Sequence, residues 1–137
     1  MVKLTSHTAY DITYHFTFIP KYRKRKLVGN IKKRLEGMIR FCAQINNFEV
    51  VELNIQPDHV HLLLSAKPIY SPARIMQLIK GGTSKKLREL FPDLVESVWT
   101  DSFWSDGYFI GTFGHRNMTD IIKYVRDQQP VQETAGS

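Results

Sequence analysis

The sequence has very little cysteine and no long apolar stretch, and each absence excludes a class of protein. Its 137 residues include one cysteine, Cys42, which excludes an intramolecular disulfide framework and a multi-cysteine zinc site. Residues 1–7 lack the apolar core of a signal peptide, and no apolar run approaches the length that spans a membrane. We therefore expect a soluble, intracellular protein that does not insert into a membrane.

Acidic residues are also outnumbered, which bears on the partner. The chain has 19 Lys and Arg against 13 Asp and Glu, a formal net charge of +6. A basic surface of this size favours a polyanionic partner, either nucleic acid or an anionic membrane face. The length and the 42% apolar content predict one domain over residues 1–137, with no repeat or linker, an ordered core over about 10–129 and a tail over 131–137.

The order of hydrophobic patterns predicts β-α-β-β-α-β-α. Strands are predicted at 10–19, 48–55, 59–65 and around 108–110, and helices beginning at the N-caps Asn30, Ser71 and Asn117. Phe91-Pro92 ends the second helix, and Pro130 ends the third. The first six elements predict an α+β, ferredoxin-like (split βαβ) antiparallel sheet backed by two helices, and the last adds a C-terminal helix.

Two histidines on the third predicted strand form a candidate metal site. Because side chains alternate along a strand, His59 and His61 share one face while Val60 and Leu62 point to the other. Two imidazoles one pleat apart can bind one divalent metal, although a third ligand is needed. The alternative is a pair of surface histidines on a solvated sheet face.

The last predicted helix offers a third ligand and a nucleophile. At about 100° per residue, Tyr124 and Gln128 lie roughly 40° apart on one flank of the apolar stripe. Gln128 can supply a carbonyl oxygen to a metal, and Tyr124 a phenolic oxygen close to it. This set suits phosphodiester cleavage, in which a tyrosine nucleophile conserves the bond energy for rejoining. The alternative for Tyr124 is a packing role with a polar tip.

Two basic clusters, the first at residues 21–26 and the second at residues 80–88, are candidate DNA-binding surfaces. Both combine cations with aromatic, hydroxyl or glycine residues, a mixture that suits phosphate contacts and base stacking. Each cluster can equally be an ordinary solvated face. The nearby aromatic residues Trp99, Phe103, Trp104 and Tyr108 form either a stacking platform or, more simply, part of the core or of a dimer contact. The candidate DNA-binding residues are Lys21, Tyr22, Arg23, Arg25, Lys80, Lys85, Lys86 and Arg88.

Taken together, these motifs resemble the single-tyrosine HUH transposases of the smallest insertion sequences, over roughly residues 10–129. The most specific element is Pro57-Asp58-His59-Val60-His61 followed by the later tyrosine. Pro130 departs from the family pattern by shortening the last helix. The supporting motifs are Tyr14-His15-Phe16, Pro20-Lys21-Tyr22-Arg23, Lys80-Gly81, Trp104-Ser105, Gly107-Tyr108-Phe109 and Gln128.

The resemblance implies a detailed activity. It implies an enzyme that cuts and rejoins single-stranded DNA at insertion-sequence ends, using Mg²⁺ or Mn²⁺ and a 5′-phosphotyrosine intermediate. Tyr124 would be the nucleophile, and His59, His61 and Gln128 the metal ligands. The partners would be DNA hairpins and a second copy of the chain, in a homodimer with composite active sites. The location would be the prokaryotic cytoplasm, at the nucleoid when DNA is bound.

Two other interpretations remain open from the sequence. A ferredoxin-like sheet can be a non-catalytic nucleic-acid-binding module, which would bind without metal and form no covalent adduct. A domesticated relative or another HUH nickase would keep the chemistry but not the mobile element. The sequence does not specify the hairpin, the metal or whether Tyr124 acts in cis or in trans.

Overall fold

The computed structural model describes residues 3–4, 9–10, 12–94, 103–113, 122–123 and 125–127. Several predicted features lie outside these residues: Trp99, the Asn117 cap, Tyr124, Gln128 and Pro130. No helix among the described residues is long and apolar enough to cross a membrane.

A four-stranded antiparallel sheet forms the centre of the fold. Its strands are β3 (Thr13–Phe18), β4 (Glu49–Gln56), β5 (His59–Ser65) and β6 (Phe109–Phe113). Their order across the sheet is β4-β5-β3-β6, and every neighbouring pair is antiparallel. A two-residue turn at Pro57 and Asp58 joins β4 to β5, as the short connection predicts. The α+β, split βαβ architecture is therefore confirmed.

Two helices pack against one face of this sheet. They are α1 (Gly29–Ile45) and α2 (Pro72–Leu90). The start of α2 is as predicted, because Ser71 Oγ accepts a hydrogen bond from the Arg74 amide at 3.1 Å and proline occupies the first helical position. The helix continues through Gly81 and Gly82 and ends at Leu90.

The predicted Asn30 cap of α1 is wrong. The helix begins at Gly29, two residues before the start at Ile31 that an Asn30 cap would give, and the preceding Val28 makes no side-chain cap. The Val28 carbonyl accepts from the amides of Ile31 and Lys32 at 3.1 and 3.3 Å. Because this backbone carbonyl already starts the helical hydrogen bonds, Asn30 falls inside the first turn, where a side-chain cap has no place.

The first predicted strand was too long at its start. The residues Ala9–Tyr10 form β2, which pairs with β1 (Lys3–Leu4) in a separate two-stranded sheet. The main strand begins only at Thr13. The predicted second strand begins at Glu49 rather than at Phe48, and the predicted fourth strand runs from Phe109 to Phe113.

The hydrophobic core lies between the sheet and the helices. Alternation along β3 and β5 directs one set of side chains toward α1 and α2, and five of them are at most 1% exposed: Phe16, Phe18, Val60, Leu62 and Leu64. Burial on this scale is the main source of stability in a fold of this size. The principal core residues are Phe16, Phe18, Leu35, Ile39, Ile55, Val60, Leu62, Leu64, Ile75, Met76, Ile79, Leu87 and Trp104.

Candidate active site

The face of the sheet opposite the helices carries polar side chains. Strand pairing sets His61 beside Thr17 on β3 and beside Asn54 on β4. It also sets His59 beside Gln56. Because directly paired residues in an antiparallel sheet project to the same face, these side chains converge on one surface. His59 and His61 do share a face, as predicted, with ring centroids 4.8 Å apart and planes at 86°.

His59 is held by a carboxylate and an arginine. Its Nδ1 lies 2.7 Å from Asp58 Oδ1, and the second oxygen, Oδ2, accepts from Arg23 Nε at 3.0 Å. Burial would raise the pKa of the Asp58 carboxyl, but hydrogen bonding and charge from His59 and Arg23 outweigh it and lower that pKa below its ordinary value. Asp58 is therefore a carboxylate at neutral pH, suited to accept the Nδ1 proton of His59.

His61 is held from the neighbouring strand. Its Nδ1 lies 3.1 Å from His15 Nε2 and 3.2 Å from Thr17 Oγ1. Burial lowers the pKa of His15, which favours its neutral imidazole, and this ring can share a hydrogen bond with the His61 ring. His15, on the neighbouring strand, thus contacts the histidine pair directly through His61.

The donor chemistry of this pair fits a divalent metal. In both rings Nδ1 faces a protein group, an arrangement that leaves Nε2 as the ligating nitrogen in many metal sites. Two histidines are too few to complete a metal site, so further ligands are needed. The described part of the chain contains no group of three His, Cys, Asp or Glu side chains able to hold a metal. The predicted third ligand, Gln128, lies outside the described residues.

A C-terminal segment, residues 122–123 and 125–127, contacts the β4 edge on this same face. Asn54 Nδ2 donates a hydrogen bond to the Val125 carbonyl, and the guanidinium of Arg126 binds both oxygens of Glu52 at 3.1 and 3.2 Å. Val125 is fully buried yet is not part of the core between sheet and helices. Val125 and Arg126 therefore lie against the strand that pairs with the histidine strand. Tyr124 itself is outside the described residues.

Lys80, predicted to bind DNA, binds the protein backbone. Its Nζ donates to the carbonyls of Ser105 and Gly107 at 2.8 and 2.9 Å and lies 5.8 Å from the centre of the Tyr108 ring. Burial lowers the pKa of Lys80, while the charge of Asp106 opposes that change. The Lys80-Gly81 and Gly107-Tyr108 motifs, distant in sequence, thus form one contact.

Other parts of the second basic cluster are structural as well. Thr83 and Ser84 are buried, and they accept hydrogen bonds from Trp104 Nε1 at 2.9 Å and from the Phe103 amide at 2.8 Å. For Phe103 and Trp104 the core interpretation is confirmed, since 5% and 0% of their surface is exposed. Trp99 lies outside the described residues.

The remaining candidate DNA-binding residues lie at the surface in two groups. Tyr22 is 84% exposed and Arg25 is exposed beside it, with Lys21 partly buried, in the turn after β3. Lys85 and Lys86 are exposed on α2, and Arg88 is partly buried. Lys86 also lines an apolar groove between the helices, with Phe41, Ile45 and Leu90.

Three residues of this face were not assigned roles from the sequence. Asp58 was visible only as part of a motif, and Thr17 and Asn54 were not identified. A signal for Asn54 existed, because Glu52-Leu53-Asn54-Ile55-Gln56 alternates polar and apolar side chains and so gives this edge strand a polar face. The pairing of Asn54 with His61 depends on strand register, which a single sequence does not specify.

Comparison with known proteins identifies the family. The family model described as "Transposase IS200 like" matches residues 8–128. The chain belongs to the IS200-like transposases. The ISDra2 transposase TnpA of Deinococcus radiodurans is 34% identical over 119 residues, which cover 87% of this chain and 85% of that protein. The transposase of insertion element IS200 from Salmonella typhimurium is 32% identical over 126 residues, covering 92% and 82%.

Two solved structures share the fold of this transposase. The crystal structure of a proposed transposase from Deinococcus radiodurans R1 superposes with a TM-score of 0.76 and 29% identity, covering 93% of this chain and 98% of that one. A REP-associated tyrosine transposase bound to a REP hairpin shares the fold, with a TM-score of 0.64 and 12% identity over 96% and 74% of the two chains. The IS200-like transposase is thus a DNA-processing enzyme built on the predicted fold.

Proposed function

We propose that this transposase cleaves and rejoins single-stranded DNA with a divalent metal, Mg²⁺ or Mn²⁺, and a covalent tyrosine intermediate. The observation that carries the proposal is the pair His59 and His61, adjacent on one face with Nδ1 of each ring facing a protein group. His59, His61 and Gln128 would hold the metal. When bound, the metal polarises the scissile phosphate and offsets the charge that develops in the transition state.

Tyr124 is the proposed nucleophile. Its phenolic oxygen forms a bond to the scissile phosphorus, and the bond from phosphorus to the 3′-oxygen breaks. The phenol gives up its proton and the 3′-oxygen takes one, which leaves a 5′-phosphotyrosine and a free 3′-hydroxyl. Attack of a 3′-hydroxyl on the phosphotyrosine reverses these changes and rejoins a strand without ATP. Support comes from the contacts of Val125 and Arg126 with the strand that pairs with His61.

The proposed substrate is single-stranded DNA whose ends fold into hairpins. The net charge of +6 and the exposed Tyr22, Arg25, Lys85 and Lys86 suit phosphate contacts and base stacking. The fold is shared with a tyrosine transposase that was solved with a REP hairpin. The proposed assembly is a homodimer with composite active sites, working on nucleoid DNA in the prokaryotic cytoplasm.

A covalent-adduct assay tests the chemistry. The full-length protein, a 3′-labelled single strand with a hairpin end, and Mn²⁺ should give a labelled DNA–protein adduct that survives denaturing electrophoresis. Tyr124→Phe should abolish the adduct, whereas Tyr70→Phe, a change at a tyrosine that packs on Phe48 on the helix side, should leave it intact. An adduct from Tyr124→Phe would refute the nucleophile assignment.

The metal site has a separate test. Replacing both His59 and His61 with alanine should abolish cleavage while hairpin binding in EDTA stays within about twofold of wild type. Unchanged cleavage would dismiss the metal site. Hairpin binding by the wild type with no adduct under any divalent metal would instead indicate a non-catalytic binding module.

A further inference from the structure

The motif Pro20-Lys21-Tyr22-Arg23 has no role in the proposed chemistry beyond a general DNA contact. The motif contains two cations, Lys21 and Arg23. Arg23 forms an ion pair with the buried carboxylate of Asp58. The side chain of Asp58 is only 6% exposed, while that of Arg23 is 47% exposed. A half-exposed arginine that turns inward to a buried acid is poorly placed to serve phosphate contacts alone.

The two oxygens of Asp58 have different partners. Oδ1 receives His59 Nδ1 at 2.7 Å, and Oδ2 receives Arg23 Nε at 3.0 Å. Each partner therefore fixes the rotation of the carboxylate for the other. A carboxylate on Nδ1 of a ligating histidine sets the tautomer and the ring orientation, and its loss commonly lowers metal affinity ten- to a hundredfold.

The turn that carries Arg23 has an unfavourable backbone. Tyr22 and Arg23 have φ angles of 60° and 50°, the left-handed region that residues with a side chain rarely adopt. The turn is fixed by hydrogen bonds from the Arg23 amide to the Pro20 carbonyl at 2.8 Å and from the Lys21 amide to the Phe103 carbonyl at 3.1 Å. Strain of this kind persists where the surrounding structure imposes it, and it is concentrated at functional sites.

We propose that Arg23 is a positioning residue that acts through Asp58 to hold His59 in the tautomer and orientation for metal binding. The inference rests on the proposed function, because it takes His59 as a metal ligand. It assigns two tasks to the basic cluster at residues 21–26. Arg23 serves the metal site from the protein side, and the exposed Tyr22 and Arg25 face DNA.

The sign of one measurement separates positioning from plain electrostatics. Arg23→Gln removes a positive charge close to a cation site, which by Coulomb's law alone would strengthen metal binding. Loss of positioning weakens it instead. In the DNA-free, full-length protein, we expect Arg23→Gln and Asp58→Asn each to weaken Mn²⁺ binding by about tenfold or more, measured by titration calorimetry or by the signal of free Mn²⁺.

A double-mutant cycle and a matched control complete the design. Because Arg23 acts through Asp58, Arg23→Gln should add less than about twofold in the Asp58→Asn background. Arg23→Lys, which keeps the charge and one donor, should restore part of the affinity. The control is Arg40→Gln, which removes a similar arginine–carboxylate pair, with Glu36 on α1, that touches no histidine. It should leave Mn²⁺ affinity unchanged.

Histidine NMR gives a readout that needs neither metal nor activity. Long-range ¹H–¹⁵N spectra of the metal-free protein should show the His59 proton on Nδ1 in the wild type, and a loss of that preference in Asp58→Asn and, to a smaller degree, in Arg23→Gln. Thermal unfolding of each variant verifies that it is folded.

The outcomes are distinct. If Arg23→Gln binds Mn²⁺ as tightly as wild type, or more tightly, the positioning role is overturned. A concurrent loss of hairpin affinity in EDTA would then make Arg23 a DNA contact only. If His59→Ala and wild type bind Mn²⁺ equally, the metal site itself fails, and this inference fails with it.

Discussion

Replacement of Thr83 tests how the hydrogen bond between Thr83 and Trp104 attaches α2 to the segment that leads into β6. Thr83 is 1% exposed and Trp104 is 0% exposed. The threonine Oγ1 accepts from the indole Nε1 at 2.9 Å and donates to the Ile79 carbonyl at 2.7 Å. Replacing Thr83 with valine keeps the shape of the side chain and removes both interactions.

The expected cost follows from the hydrogen bonds that are lost. The indole N–H would stay buried and would lose its Thr83 acceptor, which costs about 1–3 kcal/mol. The Ile79 carbonyl belongs to the helix and loses only a second hydrogen bond, so its share is small. Valine and threonine have similar helix propensities, which adds little. A loss of about 1–3 kcal/mol lowers the melting temperature by roughly 3–9 °C for a chain of this length.

Urea or thermal unfolding, followed by circular dichroism, measures this change. The matched control is Thr112→Val, at an exposed threonine of β6, which should alter the free energy of unfolding by less than about 0.5 kcal/mol. In a double-mutant cycle with Trp104→Phe, which removes the N–H donor, the cost of Thr83→Val should fall by at least about 1 kcal/mol. Equal destabilisation by Thr83→Val and Thr112→Val would refute the reasoning.

Two further predictions concern the DNA-processing surfaces. Asn54→Leu removes the hydrogen bond to the Val125 carbonyl. Since such a bond has a net value of about 0.5–1.5 kcal/mol, we expect roughly two- to tenfold slower adduct formation with unchanged hairpin affinity. An equal loss of hairpin affinity would contradict this prediction. Gly81→Ala and Gly37→Ala should each stabilise the protein by about 0.5–1 kcal/mol, since an added methyl group meets no atom within 4 Å in either helix. Only Gly81→Ala, beside the α2 cations, should also weaken hairpin binding; equal affinities would exclude a close approach of DNA there.

The parts of the fold that local patterns determine were predictable from the sequence. Alternation along 59–65 gives the histidine strand, and Ser71-Pro72 gives the start of α2, because each signal lies within a few neighbouring residues. The start of α1 was not predictable in this way. There the Val28 carbonyl, rather than the Asn30 side chain, begins the helix, and nothing in the local sequence distinguishes the two.

The candidate site was predictable in its chemistry but not in its supporting contacts. His59 and His61 are recognisable by their spacing. The residues that contact their Nδ1 atoms lie at different sequence separations from them. Asp58 is adjacent to His59, but His15 reaches His61 only through the register of β3 against β5. The backbone contacts of Lys80 were not predictable for the same reason, because a sequence does not show whether a cation lies beside a phosphate or beside two backbone carbonyls of the same chain.

The contrast between the two faces of the sheet argues that the histidine face is maintained for function. The helix side buries apolar side chains, whereas the other side buries His15, Asp58, His59 and His61, each less than 8% exposed. Buried polar groups contribute little net stability even when they are paired, and apolar residues of similar volume often serve a fold better. Folding alone would therefore not favour this cluster, and its hydrogen bonds orient the histidines more than they stabilise the sheet. The stability given up by burying polar side chains is explained in a transposase if this face binds a cation and a scissile phosphate. Such a site needs its imidazoles held in position before the ligands bind.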